Sequence, residues 1–291
     1  MSEVALIKNH RPSTGYEKLY GLIKQRSWGM VLAVLFLFGL FVAAIFPYFF
    51  APDDPLGINP EFAFQAPSWA HWFGTDQSGR DIFTRVIHGS RQSLTIGVFA
   101  IALALSIAIP LGVLAGLIGG WVDRVIGWIV EILFAFPSLI LALLFVAVFG
   151  SGIGQLVIAT GIGIAPGYAR MIRGQVIAVR KAGYIEAARA LGHSPWRIVR
   201  RQLLPNAMRP LVVMVTMGVG QAIVWASALS FLGLGAKPPA PEWGTMMSAG
   251  RDFIANAWWL TFFPGFFILL TTLSTTVVGR YLQHRLEGRE L

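Results

Sequence analysis

A chain of 291 residues that is 55% hydrophobic and only 13% charged does not suit a water-soluble domain, which carries about 25% charged residues; the composition assigns it to a membrane. Cysteine is absent, which excludes disulfides, thiol catalysis, Cys-ligated metals and a lipid-modified N-terminal cysteine, and the five histidines, at positions 10, 71, 88, 193 and 284, lack metal-ligand spacing. The net charge of +9 reads as basic loops on one membrane face rather than as a nucleic-acid footprint.

The N-terminal tail, residues 1–27, is basic through Lys8, Arg11, Lys18, Lys24 and Arg26, and leads into an apolar run over 28–50. That run is too long for the core of a signal peptide and lacks a small-residue cleavage pattern, so a retained first span is expected. An extracytoplasmic segment over 51–91 follows. Within it Thr75 or Asp76 is placed to cap a short helix, with Ile82, Phe83, Val86 and Ile87 on its apolar side and Asp81 and Arg85 as an i,i+4 pair. Further runs over 92–122, 125–149, 155–168, 210–234 and 257–279 give a membrane core over 92–281, and a short tail, 282–291, closes the chain. Pro110, Pro137, Pro166 and Pro264 interrupt these runs, as in a moving or cavity-lining bundle. Gly112, Gly116 and Gly120 recur at four-residue spacing, which allows another helix to approach closely. The fold class expected is an all-α membrane protein with six transmembrane helices.

Six spans place both termini on one side, and the charges say which. Residues 170–209 carry nine Lys or Arg against the single acid Glu186, whereas the loops of opposite parity mix both signs. The positive-inside rule therefore puts this segment and both tails in the cytoplasm.

The same segment has internal order. Composition favours helix up to Leu191, Gly192 offers the positive φ that ends one, Ser194 is a good N-cap and Pro195 a good first helical residue. A second helix then carries Trp196, Val199 and Leu203 on one face and Arg197, Arg200 and Arg201 elsewhere, until Pro205 stops it. A solvated basic loop on anionic headgroups explains the charge but not the paired caps. A DNA-binding helix-turn-helix lacks room for its third helix between the flanking spans. A docking surface for a soluble partner accounts for both features.

Here the chain resembles a known family. Glu186-Ala187-Ala188, Gly192 four residues after Ala188, and Leu204-Pro205 are similar to the EAA loop of ABC-importer permeases, with Gln202 where that pattern has Ile. The stretch "FGTDQSGRDIFTRVIHGSRQSL", 73–94, with Gly74, Thr75, Asp76, Gly79, Arg80, Asp81 and Arg85, resembles the signature of the C-type permease subunit of dipeptide, oligopeptide and nickel importers, with Phe73 and Thr84 in place of Leu and Ser. "FPSLILAL" at 136–143 and "SFLGLG" at 230–235 resemble the same subunit. The resemblance implies a type I ABC-importer permease fold in the bacterial inner membrane, and as partners a B-type permease, two cytoplasmic ATPase subunits and an extracytoplasmic substrate-binding protein. It implies that Glu186, Ala187, Ala188, Gly192, Ser194, Trp196, Arg197, Leu204 and Pro205 couple the chain to the ATPase.

The residues agree with a subunit that draws its energy elsewhere. None of the lysines, at 8, 18, 24, 181 and 237, follows a phosphate-binding Gly-rich loop, so ATP and Mg are expected in partner subunits, with no cofactor on this chain. Glu131 is the only acid well inside a run, so no proton relay is evident. Glu131, Gln221, Ser227 and Ser230 are polar where lipid penalises polarity, and the first three stand as candidate pathway-lining residues. The expected function is an ATP-driven peptide importer's permease subunit, without catalysis of its own; the alternative is a secondary transporter or channel subunit not powered by ATP.

Overall fold

The computed structural model describes residues 28–135 and 137–286. The basic N-terminal tail, Phe136 of the "FPSLILAL" stretch and the end of the C-terminal tail lie outside the described residues. Every regular element among those described is helical. The helices are α1 (Trp28–Ile45), α2 (Pro47–Phe50), α3 (Ile82–Ile118), α4 (Gly120–Ala135), α5 (Ser138–Phe149), α6 (Ile153–Arg180), α7 (Gly183–Ala190), α8 (Pro195–Phe231), α9 (Trp243–Gly250) and α10 (Trp259–Leu286).

Four of these, α1, α3, α8 and α10, are long and apolar enough to cross a membrane. The other two runs read as spans fall on α4 and α5 and on α6. Pro137 divides the first of these, since it cannot continue the helix that ends at Ala135 and stands as the N-cap of α5. Pro110, Pro166 and Pro264, by contrast, sit inside unbroken helices. The fourth run extends far beyond 168, because α6 carries on to Arg180.

The seam between α3 and α6 organises the bundle. A Cβ on Gly112 would meet the Ala169 carbonyl oxygen at 2.7 Å, and one on Gly116 would meet Val176 Cγ1 at 2.6 Å. The backbones approach this closely only because the two positions are glycine. Gly120 is different: it has a φ of +59° and open space around it, so it opens α4 at the turn that follows α3 and takes no part in the seam. Around the seam Ala108, Val130, Ala169, Ile172 and Val176 form a core that runs on into Ile185 and Ala188 of α7 and Ile198, Leu203 and Ala207 of α8.

At the other end, α3 and α10 are joined through aromatic packing. Phe73 stacks on Phe263 with ring centroids 4.0 Å apart, and Trp243, fully buried, donates its indole N–H to the Val86 carbonyl at 2.9 Å.

Candidate functional site

The segment over 183–205 forms because local signals agree with burial. Helix α7 buries Ile185 and Ala188 and leaves Glu186 and Ala187 exposed, as expected for neighbours on a helix with one apolar stripe. It ends in a Schellman motif: His193 N–H donates to the Ala188 carbonyl at 3.1 Å and Gly192 N–H to that of Arg189 at 3.0 Å, with Gly192 at φ +79°. Ser194 then caps α8 by accepting from the Arg197 N–H at 3.4 Å, ahead of Pro195.

Pro205 does not stop the second helix. The segment Val199–Leu203 widens into a π turn and the helix continues to Phe231. The physical reason is the proline ring, which removes one backbone donor and crowds the carbonyl four residues back. Leu204 N–H bonds to the Val199 carbonyl, five residues back, and Asn206 Nδ2 donates to Gln202 O at 2.6 Å. The extra residue also changes the buried face: Ile198 and Leu203, five apart, both point inward, while Trp196 is 71% exposed. Trp196 therefore does not share a face with Leu203, contrary to the helical-wheel expectation. The segment presents Tyr184, Glu186, Ala187, Arg189, Leu191, Trp196 and Arg197 outward, with Leu191 77% exposed. Tyr, Trp and Arg beside exposed apolar area are the composition of a protein interface.

Behind this surface, arginines that the sequence reading counted only as topological charge bind helices together. Arg173 grips the Asp123 carboxylate through two nitrogens, Nε to Oδ1 and Nη2 to Oδ2, the latter at 2.7 Å. Arg180 donates to the carbonyls of Leu117 at 2.9 Å and Gly116 at 3.3 Å, placing a cation at the C-terminus of α3. Arg170 lies 4.5 Å from the Phe134 ring centre. Asp123 is in the first turn of α4, before the apolar run, and the hydrogen bond from Arg173 holds its carboxyl below the ordinary carboxylate range. The signal for this pair was an acid and a base fifty residues apart, which only the α4–α6 contact brings together.

The signature over 73–94 forms a lock at the opposite end. Asp76 Oδ1 accepts from the N–H groups of Ser78 at 2.8 Å and Arg80 at 2.9 Å, and Oδ2 lies 3.5 Å from Arg85 and 3.6 Å from Arg80. Arg85 also reaches the Pro239 carbonyl at 3.1 Å and the Pro55 carbonyl at 3.4 Å. Thr75, wholly buried, donates to Phe62 O, accepts from Gln65 N–H at 2.8 Å, and its own carbonyl receives the Trp259 indole N–H at 3.1 Å. Gly74 and Gly79 have φ of +74° and +73°, and a Cβ on Gly79 would strike the Asn59 carbonyl oxygen.

Two expectations are corrected here. The helix cap is Asp81, which accepts from Thr84 N–H at 2.8 Å, rather than Thr75 or Asp76, and the helix is no short piece but the start of α3. Arg85 pairs with Asp76 and not with Asp81, whose second oxygen lies 2.9 Å from His71 Nδ1. The sequence reading also missed Glu242, which is buried and caps α9 through the N–H groups of Gly244 and Thr245 at 2.9 and 2.8 Å; an acid directly before a helical stretch was the available signal.

The three candidate pathway residues are not gathered in one place. Gln221 is exposed in a groove between α6, α8 and α10; Ser227 is buried on α8 against Gly244 of α9; Glu131 is exposed on α4 beside Arg170 and Arg173.

Residues 108–288, from the last third of α3 onward, match the family described as binding-protein-dependent transport system inner membrane component. The chain belongs to this family. Among permeases, it is 41% identical to the dipeptide transport system permease protein DppC of Alkalihalophilus pseudofirmus, over 89% of this chain and 85% of that protein. It is 40% identical to the glutathione transport system permease protein GsiD of Pectobacterium atrosepticum (89% and 86% covered) and 37% identical to the probable D,D-dipeptide permease DdpC of Escherichia coli (94% and 91%). A chain of the inward-facing MetNI methionine ABC transporter superposes on it with a TM-score of 0.57 at 24% identity, covering 68% of this chain and 95% of that one. A chain of an amino acid ABC transporter gives 0.58 at 17% identity (70% and 94%). The fold is that of type I ABC-importer permeases, and the chain is a membrane-embedded permease subunit of an ABC importer.

Proposed function

We propose that this permease forms half of the path by which small peptides, delivered by an extracytoplasmic binding protein, cross the bacterial inner membrane. A B-type permease supplies the other half, and two cytoplasmic ATPase subunits bind ATP and Mg. The chain spans the membrane six times, with α4–α5 and α6 as third and fourth spans and both termini in the cytoplasm. The α7 corner occupies a cleft of the ATPase: Glu186 pairs with a basic residue there, Ala187 leaves room for close approach, and Leu191 and Trp196 supply apolar contact. The observation that carries this reading is the outward apolar and charged surface of α7 and the start of α8, built on a core continuous with α6. Motion imposed on that surface reaches the bundle through packed side chains. Peptide cargo is supported by the dipeptide and glutathione permeases among the relatives.

The test is charge reversal. In the assembled complex, Glu186→Lys is expected to lower peptide uptake by an order of magnitude or more, as lost coupling of about 1.4 kcal/mol or greater requires. The chain should still reach the membrane. Uptake at the normal rate would remove the assigned role of Glu186, and uptake that survives ATP depletion would favour a secondary transporter.

A further inference from the structure

We propose that the groove between α6, α8 and α10 is this chain's share of the solute path, and that it passes uncharged or zwitterionic peptides by exchanging hydrogen bonds with them rather than by holding their charges. The inference rests on the importer reading above. The groove is lined by Tyr168 and Met171 of α6, Met214, Met217 and Gln221 of α8, and Thr272 of α10, with no Asp, Glu, Lys or Arg among its walls.

Gln221 decides what faces it. It lies ten residues before the end of α8 at Phe231, roughly 15 Å along the axis at about 1.5 Å per residue, which is half the thickness of a hydrocarbon core of about 30 Å. Its amide is exposed and makes no hydrogen bond among the described residues. A free amide at mid-membrane facing lipid leaves two donors and an acceptor unanswered, so this face is turned from lipid toward water, a polar solute or the second permease, and the proposed occupant is the solute. The nearby hydroxyls are already engaged as donors: Thr272 to the Ile268 carbonyl at 2.9 Å and Tyr168 toward the Met214 carbonyl at 3.5 Å. Gln221 is thus the group with free donors as well as a free acceptor, where the hydroxyls can only accept, and its pairing of N–H and C=O matches a peptide unit. The three thioethers provide unbranched, polarizable walls that adapt to different side chains. Gly218 keeps the wall shallow, since a Cβ there would come within 2.4 Å of the Tyr168 hydroxyl. Elsewhere α3 packs on α6 and α8, and α1 on α3 and α10, and the groove left between α1 and α3 differs in being mainly aliphatic and aromatic, with Arg91 at its wall.

The natural absence of cysteine makes the test direct. Gln221→Cys and Thr272→Cys, each alone, are placed in the complex in right-side-out vesicles and treated with a water-soluble methanethiosulfonate. Phe38→Cys, on the outward face of α1, is the lipid-facing control. Both groove cysteines should react at least about tenfold faster than Cys at position 38, because thiolate chemistry requires water that lipid excludes. A mixture of di- and tripeptides supplied outside together with the binding protein, with ATP inside, should slow both reactions several-fold. Rates no higher than the control would show a groove sealed against lipid or the second permease, and rates unmoved by peptides would rule out peptide as its occupant. ATPase activity co-purifying with the chain is scored separately: groove rates at control level beside an active ATPase overturn this inference alone, whereas absence of any ATPase overturns the importer reading as well.

Discussion

The buried Arg85 guanidinium, only 5% exposed, has one carboxylate to answer it, that of Asp76; its other contacts are neutral carbonyls. Asp76 has more partners, because Arg80 and two backbone N–H groups also face it. Removing the acid therefore strands a buried charge, and removing Arg85 does not. Asp76→Asn should destabilise the purified complex by about 3 kcal/mol or more, and Arg85→Met by appreciably less. Thermal unfolding of the two variants reads the difference; equal shifts would mean that Arg85 does not depend on Asp76. The sequence indicated both residues as a signature, but i,i+4 spacing favoured Asp81 as the partner of Arg85. Capping turned Asp81 back toward the Thr84 N–H and so took it out of reach. Asp123 offers a second test. Because Arg173 depresses its carboxyl, the pair's contribution is fully present above the ordinary carboxylate pKa of about 3.9 and is lost as pH falls through the lower folded value. The melting temperature of the wild type should exceed that of Asp123→Asn by a constant small margin from pH 5 to 8, worth about 1 kcal/mol or less for so exposed a pair, and the margin should close in stronger acid. A margin unchanged below that range would contradict the pairing.

Helices in this protein meet where side chains are smallest. The four-residue glycine spacing in α3 was readable from the sequence as a contact stripe, yet which helix fills it, and that Gly120 lies outside it, depended on where α3 ends. Gly116→Leu should prevent the α3–α6 seam from closing, because its Cβ alone would overlap Val176, while Gly127→Leu on α4, with open space at its Cβ, should leave the protein folded. The yield of monodisperse complex after gel filtration compares them, and a normal yield from Gly116→Leu would show that the seam is not tight. The π turn ahead of Pro205 belongs to the same scale. Its cause, a proline within a helix, is visible in the sequence, but the choice between stopping and widening is made by tertiary burial. Continuing the helix keeps Ile198, Leu203 and Ala207 in one core with Ile185 and Ala188 of α7.

Over the whole molecule, the basic corner and the aromatic packing are sorted to different ends. The basic corner at 170–209 and the aromatic lock around Phe73, Trp243 and Trp259 lie at opposite ends of α3, which runs from Ile82 to Ile118. The proposed topology makes this testable on the cysteine-free chain. Cys at Leu191 should be labelled by an impermeant maleimide only in inside-out vesicles, and Cys at Trp69, almost wholly exposed, only in right-side-out ones. The reverse pattern would invert the orientation. The sequence by itself determined the membrane class, the helical content and the position of the basic helical corner, because composition, hydropathy and capping are local properties that each segment carries with it. Tertiary structure alone decided which charges meet, which polar groups remain unanswered and which glycines are contacts. Those depend on segments 50 to 157 residues apart, such as Asp123 with Arg173 and Trp243 with Val86, and no periodicity records a partner so distant along the chain.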